Sequence, residues 1–191
     1  MSFPTTIQFA SMSITDREAI DYSEAANLRT QVRSRGSHRW EFKGTFPPLS
    51  REESAEIAAF IRKTGLGQSF SIALPEYSDA RGTASGTVRV NNGVGYPIGS
   101  TAIAIDGLTG TLLEGDFITF AGHAKAYMVV EDRSGAGTLT ISPSLRTAVA
   151  DNEVITYDGV EFTVRIPANK SSYSINNNSH VSISIDFIEA V

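Results

Sequence analysis

Arg39-Trp40-Glu41-Phe42-Lys43-Gly44-Thr45-Phe46 alternates apolar and polar side chains with a period of two. Trp40, Phe42 and Phe46 share one face, and Arg39, Glu41, Lys43 and Thr45 take the other. Successive side chains of an extended chain point to opposite sides, so this is a strand with one buried face and one wet face. Pro47-Pro48 ends it, because proline donates no ladder hydrogen bond. The period then changes. Ser50 followed by Glu53 forms a capping box, and Ile57, Phe60 and Ile61, with Ala58 beside them, make one helical stripe. Arg62 and Lys63 in the last turn oppose the helix dipole, and Gly65 supplies a left-handed C-cap. The spacing predicts a helix over 51–64 whose single apolar face must lie on a sheet. Phe70, Ile72 and Leu74 alternate again, as far as Pro75.

Upstream, residues 5–14 read as a strand. Ile7 and Phe9 point one way and Ala10, Met12 and Ile14 follow the other parity, which calls for a bulge or change of face near Ala10. Residues 19–34 are ambiguous between a helical turn and an extended edge, and the reading favours a strand from Asn27 to Arg33. Downstream, the style changes. Seven glycines fall from Gly82 to Gly110, and short β segments recur at Val88–Val90, Ala102–Ile105, Asp116–Phe120, Ala126–Val130, Thr138–Ile141 and Glu153–Thr156. Short strands with glycine turns and no helix argue for a small barrel or sandwich. After Asp158-Gly159 the first style returns. Val160, Phe162, Val164 and Ile166 alternate with polar residues, and so do Val181, Ile183, Ile185 and Phe187, after a turn at Asn176-Asn177-Asn178-Ser179. The expected fold is mainly β. A β-sandwich core domain with one packed helix, formed by residues 1–79 and 158–191, carries an inserted β-barrel domain at 80–157.

The 191 residues carry a net charge of −5, with a pI near 5.2. That balance argues against a nucleic-acid partner. The densest basic stretch is Arg29, Arg33, Arg35, His38 and Arg39, with Lys43 beyond, and it reads as a solvated or inter-subunit surface. The absence of cysteine excludes disulfides, zinc-thiolate sites and thiol catalysis. Met1-Ser2-Phe3-Pro4 shows no secretory leader, and no apolar run approaches the ~20 residues of a membrane span. The expectation is a soluble protein made in a cytoplasm, for which the sequons at Asn169 and Asn177 mean little.

Candidate chemistry is sparse. His38, His123 and His180 lie far apart in sequence and read as surface or satisfied structural histidines, with His38 and His180 heading strands. Gly82-Thr83-Ala84-Ser85-Gly86 lacks the nucleophile-elbow spacing and reads as a flexible turn. Gly93-Val94-Gly95-Tyr96-Pro97-Ile98-Gly99 lacks dinucleotide spacing and a following helix, and reads as a loop. Two carboxylate pairs, Glu114 with Asp116 and Asp151 with Glu153, sit in turns and read as solvated, whereas a general acid needs an apolar pocket. Trp40, Phe42 and Phe46 face the helix stripe as core. Tyr96 and Tyr127 are better candidates for exposed aromatic contacts. The reading assigns no catalytic, cofactor-binding or metal-binding residue, so the chain is expected not to be an enzyme.

The segment Arg39 to Glu53, followed by Ile57-Ala58-Ala59-Phe60-Ile61 and Gly67-Gln68-Ser69-Phe70, resembles a family of tail-tip proteins from long-tailed bacteriophages and prophages, the distal tail proteins. Leu113-Glu114-Gly115-Asp116-Phe117-Ile118, Tyr127-Met128-Val129-Val130-Glu131-Asp132 and Thr138 to Arg146 resemble further segments of that family in the same order. The resemblance implies a structural virion protein, assembled in the host cytoplasm. It implies a ring, commonly hexameric, that joins the tail tube to the hub, fibres or baseplate, without cofactor, catalytic residues or membrane insertion. A carbohydrate-binding accessory that touches the host surface is the alternative reading.

Overall fold

The structure is a computed structural model that describes all residues except 1, 2, 5, 6, 66, 168–173, 176–179 and 191. In chain order its elements are β1 (Ser11–Glu24), β2 (Thr30–Thr45), α1 (Arg51–Thr64), β3 (Ser69–Ala73), β4 (Arg89–Val90), β5 (Ala102–Asp106), β6 (Thr111–Leu112) and β7 (Phe117–Phe120). They continue with β8 (Ala126–Val129), β9 (Arg133–Ser134), β10 (Gly137–Ser142), β11 (Ile155–Thr156), β12 (Glu161–Arg165), β13 (Ser174–Ile175), β14 (Val181–Ser182) and β15 (Ser184–Glu189). The chain is mainly β, with one helix among the described residues, in agreement with the sequence reading.

Two compact units emerge: Met1–Phe70 with Val164–Glu189, and Ser71–Thr163 with Ala190–Val191. The cuts fall inside β3 and β12, several residues from the sequence-based limits of 79/80 and 157/158. Sheet membership follows another line. One five-stranded sheet, ordered β1-β2-β15-β12-β3, takes its strands from 11–73 and 161–189, and one six-stranded sheet takes its strands from 89–156.

The first unit is built around aromatic packing. Phe3, Phe9, Phe46, Phe60, Phe70 and Phe187 form a cluster with neighbouring ring centroids 4.5 Å to 6.2 Å apart. Edge-to-face contacts of this kind add to the burial of large apolar surfaces. Helix α1 covers the cluster with Phe60 and buries Ile57 and Ile61. Its capping box is formed as the sequence predicts. The Ser50 hydroxyl accepts from the Glu53 N–H at 3.3 Å, and the Ser50 N–H donates to Glu53 Oε2 at 2.8 Å. Gly65 departs from expectation. Its φ of 83° is positive but its ψ of 141° is extended, so it ends the helix without the left-handed cap.

Two strand assignments need correction. The first strand begins at Ser11, not near residue 5, and runs to Glu24, while the second begins at Thr30 rather than Asn27. These long stretches are strands because they pair with each other in an antiparallel ladder from Ser11↔Thr45 to Glu24↔Thr30. From Thr15 to Ser37 they cover no core, so no apolar alternation marks that part of them. The expected change of face near Ala10 is present just ahead of β1: Ile7 and Phe9 turn inward on one parity and Met12 and Ile14 on the other, and the Ala10 N–H donates to Thr45 O although Thr45 is the partner of Ser11. The register shifts between Glu18 and Ile20, with Arg35-Gly36-Ser37 as the extra length on β2 and Gly36 at φ 67°.

In the second unit the six anticipated strands all appear and join in the order β11-β7-β8-β10-β5-β4. The two ends of that sheet meet. The Ile155 N–H donates to Val88 O and the Val90 N–H to Glu153 O, each at 2.9 Å, so the sheet is a nearly closed barrel. Val88, Val90, Ile103, Ile105, Ile118, Tyr127, Leu139, Ile141 and Ile155 fill it. A small ribbon, β6 with β9, was not anticipated from sequence.

Gly44 lies on the aromatic face of β2, where a Cβ would fall on the Phe9 ring and within 3.3 Å of Phe187. A glycine inside a strand marks such close approaches. Gly44→Val is expected to destabilise the protein by about 1–3 kcal/mol through overpacking, read as a lowered midpoint in thermal unfolding; an unchanged midpoint contradicts this packing.

Candidate functional site

Beyond its root the β1–β2 hairpin leaves the core. Strand β15 accompanies β2 only from Thr45↔Ser184 to Glu41↔Ile188. Where β15 ends, the buried Glu189 carboxylate accepts the Trp40 N–H at 3.1 Å and so closes the ladder. His38 packs edge-on to Trp40, with centroids 4.5 Å apart, and its Nε2 lies 2.7 Å from Asp16 Oδ1. This is the last buried layer. Every residue from Thr15 to Ser37 is exposed.

The resulting arm has two distinct faces. Tyr22 stands opposite Val32, with Ile20 two residues before Tyr22, so Ile20, Tyr22 and Val32 share one face, 51% to 64% exposed. The other face carries Asp21 opposite Arg33, and Arg35 reaches Asp21 at 2.8 Å. At the tip, the Ala25 N–H donates to Arg29 O, and the Asn27 side chain accepts the Arg29 N–H at 3.2 Å, the turn role for which asparagine is suited. Leu28 sits there at φ 62° and 79% exposed, an unusual backbone for a residue with a bulky side chain. The basic stretch seen in the sequence lies here, with Arg29, Arg33, Arg35 and Arg39 on or beside β2.

At the root, Glu41 receives Arg39 at 2.6 Å and Arg17 at 3.0 Å. The Arg39 hydrogen bond, helped by Arg17, holds the Glu41 carboxyl below the usual carboxylate range. An isolated two-stranded hairpin is marginally stable in water. This arm has both faces exposed and three large apolar residues on one of them.

The other sequence candidates scatter. His38 is buried inside β2, not at the head of a strand, while His180 is exposed just before β14. His123 lies with Glu153, Nε2 to Oε1 3.4 Å, in the second unit, and its buried Nδ1 has no hydrogen-bond partner among the described residues, so within them it is not a fully satisfied histidine. Asp116 is not solvated. Its buried carboxylate accepts from the Leu113 N–H and the Arg81 N–H and organises that turn, with Arg81 also reaching the Glu114 carbonyl. Asp151 and Glu153 are half-buried and accept the backbone N–H groups of Asn92 and Ala150. The segment 82–86 is not a free turn: Ser85 exchanges backbone hydrogen bonds with Thr109, and the Tyr157 hydroxyl donates to Gly86 O.

The aromatic candidates divide. Trp40, Phe42 and Phe46 are core, as expected. Tyr127 is fully buried with its hydroxyl accepting the Arg146 N–H, and the Tyr96 hydroxyl accepts the Ala104 N–H, so neither forms an exposed stacking platform. An inward tyrosine and an outward one look alike in sequence until the barrel closes. What sequence reading missed was the arm itself. Its signal was charge and apolar residues without periodicity, in the stretch left ambiguous at 19–34.

Neither models of known protein families nor curated protein sequences match this chain.

The Glu41 cluster sets a pH dependence for the root of the arm. A carboxyl lowered in the folded state contributes stability that is present above its unfolded pKa and is lost as pH falls through its folded value. Amide exchange at residues 15–17 and 39–41, corrected for intrinsic rates, is expected to show more frequent opening as pH drops through the carboxylate range. In Glu41→Gln that dependence should flatten; an identical profile in the variant sinks the assignment.

Proposed function

We propose that this chain is a structural subunit of a bacteriophage tail tip, a ring-forming adaptor between the tail tube and the hub or baseplate, without catalytic activity of its own. The carrying observation is the arm, 15–37, whose side chains are all exposed and whose apolar face has nothing to cover it within the described residues of the chain. Such a hairpin gains its stability from a partner. In a ring the partner is the neighbouring copy, and free strand edges that threaten a monomer with aggregation become the joint between subunits.

Two further features support the reading. The segments that resemble distal tail proteins fall in both parts of the chain: Arg39 to Phe70 spans β2, α1 and the start of β3, and Leu113 to Arg146 spans β7, β8 and β10. A mainly β host with a barrel-like insert is also the architecture that the resemblance implies. The tube-side and hub-side partners, and the hexameric number, come from the resemblance.

The test is assembly. The purified full chain, studied by light scattering and negative-stain microscopy, is expected to form discrete rings. A variant in which residues 20–33 are replaced by a tight turn is expected to keep the helix and near-ultraviolet signal of Trp40 yet remain monomeric. A wild-type chain that stays monomeric at all concentrations contradicts the proposal.

A further inference from the structure

Resting on the ring reading, we infer that copies of this chain join head to tail along the two edges of the arm, the acidic outer edge of β1 in one copy against the basic outer edge of β2 in the next. Both edges are open. Strand β1 ends the five-stranded sheet and pairs only with β2, and β2 beyond Glu41 has no strand on its far side among the described residues. Open edges present unpaired N–H and C=O groups to any extended segment alongside.

The charges on these strands are segregated. Residues 16–24 carry Asp16, Glu18, Asp21 and Glu24 against a single Arg17. Residues 29–39 carry Arg29, Arg33, Arg35 and Arg39 and no carboxylate. Within the hairpin this difference is only partly used. Arg35 is paired to Asp21 and Arg39 to Glu41, but among the described residues no carboxylate lies within ion-pairing distance of Arg29 or Arg33. On the acidic strand, among the described residues, Glu18 accepts the Ser34 hydroxyl and Glu24 the Tyr22 hydroxyl.

This pattern decides the symmetry. If two copies met through identical edges, β1 to β1 or β2 to β2, like charges would be set side by side, which is destabilising across strands. Unlike edges attract. A joint between unlike surfaces is heterologous, and a heterologous joint closes into a ring when its rotation allows. It also continues the antiparallel ladder and sets the Ile20, Tyr22 and Val32 faces of successive arms in one row. The partner is thus a second copy of this chain, chosen by charge and by free backbone groups.

The experiment uses two full-length variants. Arg29→Glu with Arg33→Glu puts carboxylates at the positions of the basic edge that have no ion pair within the described residues, and Glu18→Lys with Glu24→Lys turns the acidic edge net basic. Each alone is expected to self-associate roughly tenfold to a hundredfold more weakly than the wild type, because like edges must meet. Mixed in equal amounts, they are expected to recover assemblies in which the two alternate, detected by native mass spectrometry, since each acidic edge now finds a basic one only on the other variant. An even-numbered ring accommodates that alternation. Near-ultraviolet circular dichroism of Trp40 checks that each variant is folded. Folded variants that each assemble as well as the wild type, or a mixture that stays dissociated while the wild type forms rings, overturn the edge pairing and leave the ring reading standing. A wild-type chain that never assembles overturns both.

Discussion

The hydrogen-bond ladder between β1 and β2 outruns the core that supports it. At its root the ladder is flanked by β15 and backed by aromatic rings. Beyond Trp40, whose N–H Glu189 accepts, it continues with both faces exposed. Backbone pairing alone contributes little net stability, because the unfolded chain makes the same bonds with water. The rest of the first unit is arranged to hold this ladder rigidly at one end. His38, Trp40 and Asp16 form the final layer, and the Arg17-Glu41-Arg39 cluster braces the opposite face. The Gly36 irregularity then gives the arm a local twist where it leaves the sheet.

The barrel unit solves the edge problem in the opposite way. Its sheet brings its own ends together through Val88, Val90 and Ile155, so no long edge is left open there. Buried Asp116 and the hydroxyls of Tyr96, Tyr127 and Tyr157 each meet a backbone partner, which keeps polar groups inside the unit satisfied. His123 Nδ1 is an exception among the described residues. One chain thus contains a sheet closed on itself and a sheet whose long arm is left open, and the open one is where association is expected.

The legible parts of the sequence are those where burial imposes a period. Trp40, Phe42 and Phe46, the helix with its Ser50–Glu53 box, and Val160 to Ile166 all declared themselves because one face of each meets a core. The six barrel strands were found for the same reason, helped by glycine turns. The arm was not legible because no core acts on it. Ile20, Tyr22 and Val32 do share a face, but the register shift at Gly36 and the left-handed Leu28 break the count. Phe3 went unnoticed because a lone aromatic in a short polar stretch has no pattern, although it packs on five other rings. Asp116 and Tyr127 were misplaced because whether a turn or strand residue faces in is settled by closure of the barrel, a long-range event.

The claim that most depends on measurement is that the arm is covered by another copy. Amide hydrogen exchange of residues 20–24 and 30–34, followed as a function of protein concentration, tests it directly. The account predicts slow exchange where the chain is assembled and fast exchange on dilution, while the barrel strands stay protected throughout. Arm amides that exchange at one rate at every concentration, in a sample shown to be assembled at the upper end, would contradict it.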